Sequence, residues 1–322
     1  MVLASFNAIL LAALAVVTEL GFRLYWISKQ PVAGWLVPDA ELGYRLNPKN
    51  PEFLDLGIRK SDFSRQKPKG EFRVLVVGDS VSWPIDGYVA CLQDRARSGV
   101  RWINGSVPGY TILQERLLFE KHLAALDPDL LILQYCLNDH HDYLHRMVRG
   151  RWLIGQEVER QVLEDGPRWL DWLTQHSQLL LWARMRACRP ENSDLQKNAH
   201  FAPAFKAESW LVYSGHVREM QKLQHRRGGQ MVIVAVPVLW QLRADSADLV
   251  RVQYPQQQLG EVCRKQGIGF LDLLPVFREQ DFETLYLPGD PIHLSAKGHQ
   301  VLANRLEQFL AEAGLVPSAT GR

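Results

Sequence analysis

Nothing in the cysteine pattern of this chain points to a metal ribbon, a dithiol redox site or a disulfide framework. Its 322 residues hold four cysteines, Cys91, Cys136, Cys188 and Cys263, and no two of them form a CxxC pair. Charge of one sign is missing as well. The 37 Lys+Arg face 35 Asp+Glu, a formal +2 at pH 7, and the basic residues do not gather into one run, so a nucleic-acid footprint is absent. There is no internal repeat and no low-complexity tract. Hydrophobic residues make up 47% and charged residues 22%, with a mean hydropathy of −0.16. These values exclude a wholly disordered chain and a polytopic membrane protein, and they leave a chain able to bury a sizeable core. Its length is about twice the usual ~150 residues per domain, which predicts one large domain with appendages.

Long apolar runs are scarce too. One is present, residues 2 to 24, with Asn7, Thr18 and Glu19 as its main polar interruptions before Arg23. At ~1.5 Å per residue such a run can just cross a ~30 Å hydrocarbon core, which predicts a transmembrane anchor over residues 1–28. Two other readings stay open: a signal peptide cleaved near Ala13-Leu14-Ala15, though without the usual basic start, and a buried helix. Arg23 and Lys29 follow the run, and a positive-inside count on these two charges would leave the rest of the chain in the cytoplasm. Residues 29–70 carry Pro31, Pro38, Pro48, Pro51 and Pro68, which predicts an extended linker. Its Trp35, Leu36, Tyr44, Leu46, Phe53 and Leu54 imply that this linker packs on the main domain.

From Phe72 onward the pattern changes. Short runs that are apolar on both faces, FRVLVV (72–77), VRWI (100–103), DLLILQY (129–135), QMVIVAV (230–236) and IGFLD (268–272), alternate with amphipathic stretches. That is the mark of a parallel sheet with βα crossovers. Five such strands predict a doubly wound α/β sandwich, whose ligands bind outside the carboxyl ends of the strands. The last helix is read from Ser295 as N-cap, an apolar stripe of Leu302, Leu306, Phe309 and Leu310, and Gly314 as its stop. A tail follows from residue 316. The third and fourth strands are separated by far more chain than one crossover helix needs, so a helical insertion is expected over about residues 145–228. Within it, residues 167–185 hold Trp169, Trp172, Leu173, Leu179, Leu180 and Trp182 at mostly helical spacing. An apolar stripe of this kind usually means burial; the alternative is a cap over the site or a face for membrane, acyl or glycan.

Four segments fall where such a sheet places chemistry. Gly78-Asp79-Ser80 follows the first strand, where a tight strand-to-helix turn would expose a hydroxyl at a helix N-terminus. Asn104 to Tyr110 (NGSVPGY) follows the second, with Gly109 able to bring a backbone N–H close to a ligand. Cys136-Leu137-Asn138-Asp139 follows the third and offers a side-chain amide. Asp290-Pro291-Ile292-His293 precedes the last helix and sets a carboxylate and an imidazole three residues apart. Each alone reads equally well as a cap, a turn or a structural histidine. His140, His141, Asp142 and His145 cluster after Asn138, but no second ligand cluster answers them, so neither a metal nor any other cofactor is expected.

Taken together and in this order, GDS, NGSVPGYT, LND and DPIHLSAKGH resemble blocks I, II, III and V of the SGNH (GDSL) hydrolase superfamily, over roughly residues 71–315. The resemblance implies a flavodoxin-like fold. It further implies Ser80 as nucleophile, His293 as base, Asp290 as the residue orienting it, and an oxyanion hole from the Ser80 N–H, the Gly109 N–H and the Asn138 amide. Two positions depart from the family pattern: Cys136 stands where a glycine is usual, and Val81 where a leucine is. The expected function is hydrolysis of O-acyl esters, acetyl esters above all, on a small molecule or a glycan. Acyl transfer to an envelope or exported polysaccharide, lipase or thioesterase activity, and a catalytically silent glycan-binding or scaffold role are the alternatives. Resemblance to anchored bacterial envelope proteins implies a single-pass membrane protein with its catalytic domain in the periplasm. Protein partners are not indicated.

Overall fold

The computed structural model of the chain describes residues 2–29, 34–140, 146–148, 151–153, 166–187, 201–245 and 248–317. Helix α1 covers Val2–Lys29 and leads to strands β1 (Leu36–Asp39) and β2 (Gly43–Leu46). Next come β3 (Phe72–Val77), α2 (Tyr88–Arg95), β4 (Val100–Asn104), α3 (Ile112–Leu118) and β5 (Leu130–Tyr135). They are followed by β6 (Arg146–Val148), β7 (Arg151–Leu153), α4 (Arg168–His176), α5 (Gln178–Ala187) and α6 (Ala207–Arg226). The chain continues through β8 (Gln230–Ala235), α7 (Tyr254–Gln266), β9 (Gly269–Asp272) and α8 (Ala296–Glu312). These elements fall into two compact units, Met1–Asn50 with His145–Lys197, and Pro51–Leu144 with Asn198–Arg322.

The larger unit is built on a five-stranded sheet in the order β4-β3-β5-β8-β9, parallel throughout. Val74 to Val77 on β3 and Leu130 to Leu133 on β5 are completely buried. Runs that are apolar on both faces become strands covered on both faces, so the five strands lie where the apolar runs predict them. In sequence terms the order is 2-1-3-4-5, the doubly wound arrangement whose crevice opens where the order reverses, outside the carboxyl ends of the first and third strands. Here those strands are β3 and β5. Helix α8 closes the unit as predicted: Ser295 Oγ accepts the Gly298 N–H at 3.2 Å, and Leu302, Leu306 and Leu310 are buried. Residues 201–228, within the stretch expected as an insertion, belong to this unit, with α6 serving as the crossover into β8.

At the amino ends of the strands a guanidinium ties the preceding chain to the sheet. Arg73 on β3 is fully buried; its Nη1 donates to Leu126 O at 2.8 Å, its Nη2 to Ser64 O, and its Nε pairs with Glu71. Lys67 reaches Asp129 Oδ1 at 2.7 Å. Residues 63–67 are therefore fastened to the amino ends of β3 and β5.

The smaller unit departs from the expectations. Within the stretch expected as an extended linker, β1 and β2 pair as an antiparallel hairpin, turned by Asp39 Oδ1, which accepts the N–H groups of Glu41 and Leu42 at 2.9 Å. The Trp/Leu-rich stretch is two helices, α4 and α5, broken at Ser177. The break is held by Glu19 of α1, whose carboxylate accepts from Ser177 Oγ at 2.8 Å and from the backbone N–H groups of Gln178 and Leu179 at 2.8 and 3.1 Å. Arg23 pairs with Glu19 at 2.6 Å and donates to His176 O at 2.9 Å. Trp182 meets Phe22 with ring centroids 5.6 Å apart, whereas Trp169 and Trp172 are 64% and 58% exposed, so the burial expected of that stripe does not extend to them. Among the described residues no helix is long and apolar enough to cross a membrane, and the transmembrane anchor expected over residues 1–28 finds no support. The physical reason lies in the interruptions. The run free of polar residues between Asn7 and Thr18 is ten residues, about 15 Å of helix or half of a ~30 Å hydrocarbon core, and beyond it Glu19 and Arg23 are engaged with α4 and α5.

Replacing Arg73 by methionine removes the donors that serve Leu126 O and Ser64 O and leaves Glu71 without its partner. Urea unfolding of Arg73→Met should show a loss of about 3 kcal/mol; a loss below about 1 kcal/mol would show that the guanidinium does not fasten this segment.

Candidate active site

The site is assembled from the turns that leave β3 and β5 and the loop that enters α8. At the end of β3 the backbone must pass directly beside β5. A Cβ at Gly78 would lie 2.6 Å from Gln134 Oε1, which only glycine avoids. The same Gln134 Oε1 accepts the Asp79 N–H at 3.3 Å and the Ser82 hydroxyl at 2.9 Å. Ser82 Oγ lies 2.6 Å from the phenolic oxygen of Tyr88, which fastens the turn to α2. No helix begins at Ser80, contrary to expectation: Ser80 to Ser82 form a turn and α2 starts only at Tyr88, with Gly87 as its N-cap. The cause is Trp83-Pro84, since a residue before proline is driven out of helical geometry. Ser80 is thus presented by a turn held from below.

The other two expected groups of the catalytic set converge on that turn. His293 Nε2 lies 2.8 Å from Ser80 Oγ and His293 Nδ1 lies 2.6 Å from Asp290 Oδ2. Asp290 Oδ1 accepts the N–H groups of Ile292 and His293 at 2.8 and 3.0 Å. One carboxylate therefore shapes its own loop with one oxygen and holds the imidazole with the other. Burial works against its charge, but the His293 N–H, the His293 ring and the Ile292 N–H outweigh it and hold Asp290 below the usual carboxylate range. With Asp290 ionised the ring proton belongs on Nδ1, and Nε2 is left to accept from Ser80 Oγ–H. The loop is anchored by Leu239 N–H to Pro291 O at 2.8 Å and Leu287 N–H to His293 O at 3.0 Å. The second imidazole nearby, His299, has a different part: burial pushes it down to about 4, and its Nδ1 faces the Tyr88 N–H at 3.4 Å.

The expected oxyanion donors come from neighbouring turns. Asn138 sits in a single 3-10 turn, Leu137–Asp139, directly after β5 and is almost completely buried. Its Nδ2 donates to Asp79 Oδ2 at 2.8 Å. Asp79 Oδ1 accepts the Val81 N–H at 2.9 Å. Gly109 has φ +74°, a conformation that favours glycine, and it lies on a turn closed by Tyr110 N–H to Val107 O at 3.2 Å. That turn is tied to the first one by Val107 N–H to Gly78 O at 3.0 Å. Thr111 then caps α3 in a reciprocal pair with Gln114. Cys136, in the place of the usual glycine, is 1% exposed, so its thiol is buried and does not line the site.

Behind Asn138 lies a set of acids that sequence reasoning did not single out. Glu115 on α3 is fully buried, and neither carboxyl oxygen has a hydrogen-bond partner among the described residues. Asp139, also fully buried, accepts the Cys136 N–H at 2.8 Å with Oδ2 and leaves Oδ1 unpartnered. Burial first, then Asp79, pushes Glu115 well up; burial, then Glu115 and Asp79, does the same to Asp139. His140 stands beside them in an aromatic setting, its Nε2 3.1 Å from Tyr135 Oη, its ring 4.2 Å from Trp210 and 4.6 Å from Tyr213. His141, Asp142 and His145 lie outside the described residues, and among the described residues no group of His, Cys, Asp and Glu is arranged to hold a metal ion.

The sequence model of the GDSL-like lipase/acylhydrolase family matches residues 76–301. No curated protein matches the chain. Among solved structures, a catalytic mutant of an acetylxylan esterase from Geobacillus stearothermophilus is 17% identical and aligns over 79% of this chain and 100% of its own, with a TM-score of 0.46. A second acetyl xylan esterase is 11% identical over 74% of this chain and 98% of its own, with a TM-score of 0.43. An alpha/beta hydrolase enzyme from the metagenome of Lake Arreo, Spain, is 17% identical over 77% and 97%, with a TM-score of 0.44.

A carboxyl that binds its proton more tightly when folded contributes stability that is complete below its unfolded value and lost as pH rises through the folded one. For Glu115 that loss begins above about pH 4.5. Glu115→Gln should match the parent in melting temperature at pH 4 and exceed it increasingly toward pH 8. Melting curves that stay parallel across this range would show that Glu115 does not hold its proton in the fold.

Proposed function

We propose, since the chain belongs to the GDSL-like lipase/acylhydrolase family of ester-hydrolysing enzymes, that it cleaves O-acyl esters with Ser80 as nucleophile. The observation that carries this reading is the continuous relay from Asp290 Oδ2 through both ring nitrogens of His293 to Ser80 Oγ, at 2.6 and 2.8 Å. A serine hydroxyl attacks a carbonyl only when a base takes its proton. His293 Nε2 takes it as Ser80 Oγ bonds to the carbonyl carbon, and Asp290 steadies the imidazolium without accepting the proton. The oxygen that becomes negative is received by the Ser80 N–H, the Gly109 N–H and the Asn138 amide. On collapse the alcohol leaves with the proton from His293, and acyl-Ser80 remains. Water then loses a proton to His293 and attacks the acyl carbon; on collapse the bond to Ser80 Oγ breaks, His293 returns the proton to Ser80 Oγ, and the acid is released.

Small acyl groups on a bulky carrier, acetyl esters of a glycan above all, are the substrates we favour. The side chains of His293 and Asp290 are 35% and 33% exposed, which suits an ester carried on a large polar molecule. An apolar cavity of about 240 Å³, lined by Leu92, Trp102 and Leu310 among others, adjoins Val100. It therefore opens at the amino end of β4, the opposite end of a parallel sheet from Ser80, where it gives no room to a long acyl chain at the nucleophile. Transfer to an acceptor hydroxyl uses the same acyl-enzyme and is the second enzymatic reading. A membrane-facing, periplasmic placement is a further proposal, resting on family resemblance and on the exposed apolar side chains of α1, among them Ile9, Leu11, Leu14 and Val17. Fractionation of cells expressing the full chain decides it.

The full chain should hydrolyse p-nitrophenyl acetate and be labelled by a fluorophosphonate, and Ser80→Ala should lose both while keeping its circular dichroism. Asn138→Ala should lower kcat by about 10² to 10³. Hydrolysis that survives Ser80→Ala would overturn the assignment, and an acetylated oligosaccharide supplied with an alcohol acceptor separates release of acetate from transfer.

A further inference from the structure

We infer that Asp79 is a positioning residue: through its hydrogen bond to Asn138 Nδ2, its buried carboxylate decides which end of the Asn138 amide is offered to the oxygen of the reacting ester. The inference rests on the reading of Asn138 as an oxyanion donor and adds to it what makes that donor face the right way.

An asparagine amide has a donating end and an accepting end of nearly the same shape, so packing alone does not choose between its two orientations. Hydrogen bonding has to choose. Asn138 Nδ2 donates to Asp79 Oδ2 at 2.8 Å, while Asn138 Oδ1 is buried with no partner among the described residues. The orientation therefore depends on the Nδ2 end. A carboxylate only accepts, so the NH2 group must face Asp79. One of its two hydrogens is spent there, and the second remains for the oxyanion. Turning the amide over would set Oδ1 against the Asp79 carboxylate and remove both hydrogens from the place where charge develops.

Asp79 is itself fixed on three sides. Its N–H meets Gln134 Oε1 at 3.3 Å, its Oδ1 takes the Val81 N–H at 2.9 Å, and its side chain is completely buried. Three acids stand close together here with no basic side chain bonded to any of them among the described residues. Asp79 accepts two N–H donors, Asp139 one and Glu115 none. A negative charge is best placed where donors already point at it, which makes Asp79 the acceptor of the three.

The test is Asp79→Asn, which changes the size of the side chain little. Asparagine at 79 keeps Oδ1 on the Val81 N–H only by turning its own NH2 group toward Asn138, and the Asn138 amide then turns over to meet it. The expected result is a kcat for p-nitrophenyl acetate about 100-fold lower, with KM within about threefold of the parent and an unchanged melting temperature. The double variant Asp79→Asn/Asn138→Ala should be no slower than the slower single variant, because both remove the same donor. A kcat near the parent in Asp79→Asn, beside a 100-fold loss in Asn138→Ala, would overturn the positioning role and leave the oxyanion reading intact. A parental rate in Asn138→Ala would instead overturn the oxyanion reading. A proton-nitrogen spectrum of the parent protein tests the same point without Asp79→Asn, should that variant fail to fold. It should show an Asn138 side-chain amide with one proton protected from exchange, assigned by its disappearance in Asn138→Ala; a freely exchanging pair would overturn the proposal.

Discussion

The close approach of β3 and β5 at Gly78 governs the rest of the site. With no side chain at that position, Gln134 of β5 reaches across and takes the Asp79 N–H and the Ser82 hydroxyl on one oxygen. That single acceptor fixes the turn carrying Ser80 relative to the strand whose end carries Asn138. The next strand is drawn in by the same stretch of backbone, because Gly78 O receives the Val107 N–H. Three loops that are far apart in sequence are thereby held to the ends of adjacent strands. A Cβ at position 78, 2.6 Å from Gln134 Oε1, would displace the acceptor on which this arrangement depends.

Two aspartates flank Ser80 in space, and their surroundings divide the labour between them. Asp290 is a third exposed, and its backbone donors and the imidazole beside it hold its carboxyl below the usual carboxylate range. Asp79 is completely buried and touches no base. On the proposed reading the first serves a group whose charge changes during reaction, so it benefits from water nearby and from a loop it shapes itself. The second serves a group that never changes charge, the Asn138 amide, and there burial is an advantage, since it makes the hydrogen bond directional and strong. Glu115 and Asp139 belong to the same buried set, and burial together with the neighbouring carboxylates favours their neutral forms.

The strands were legible in the sequence because a buried parallel strand has to be apolar on both faces, and FRVLVV and DLLILQY leave little else to read. The last helix was legible from Ser295 and its leucine stripe for the same local reason. The pairings that build the site were not. Asp79 meets Asn138 across 59 residues and Gln134 across 55, and no local pattern announces which polar residue will stand opposite another once strands are in register. Ser80 as a helix N-cap was a fair local reading that Trp83-Pro84 overrode. The hairpin at β1 and β2 was hidden by prolines that suggest linker, and the α4–α5 break at Ser177 by a stripe that reads as one helix. Its cause, Glu19, lies 158 residues away. The amino-terminal run was read from its apolar length, and Glu19 and Arg23 lie within that length while making polar contacts of their own.

Hydrolysis and transfer differ in a feature that the catalytic groups themselves do not contain. On the proposed reading every group around Ser80 acts on the acyl half of the substrate: His293 moves the proton, Asp290 steadies the imidazolium, and the amide and N–H groups receive the oxygen charge. All of these steps are the same whether water or an alcohol attacks acyl-Ser80. What decides the outcome is how long and how well an acceptor hydroxyl is held beside the acyl carbon, because a bound and oriented hydroxyl gains an effective concentration far above that of any free competitor. A site with its imidazole and carboxylate a third exposed admits water freely. Transfer from such a site therefore requires a second surface that grips the acceptor, while hydrolysis requires nothing more than the relay already in place. On that ground hydrolysis is the simpler reading of the geometry.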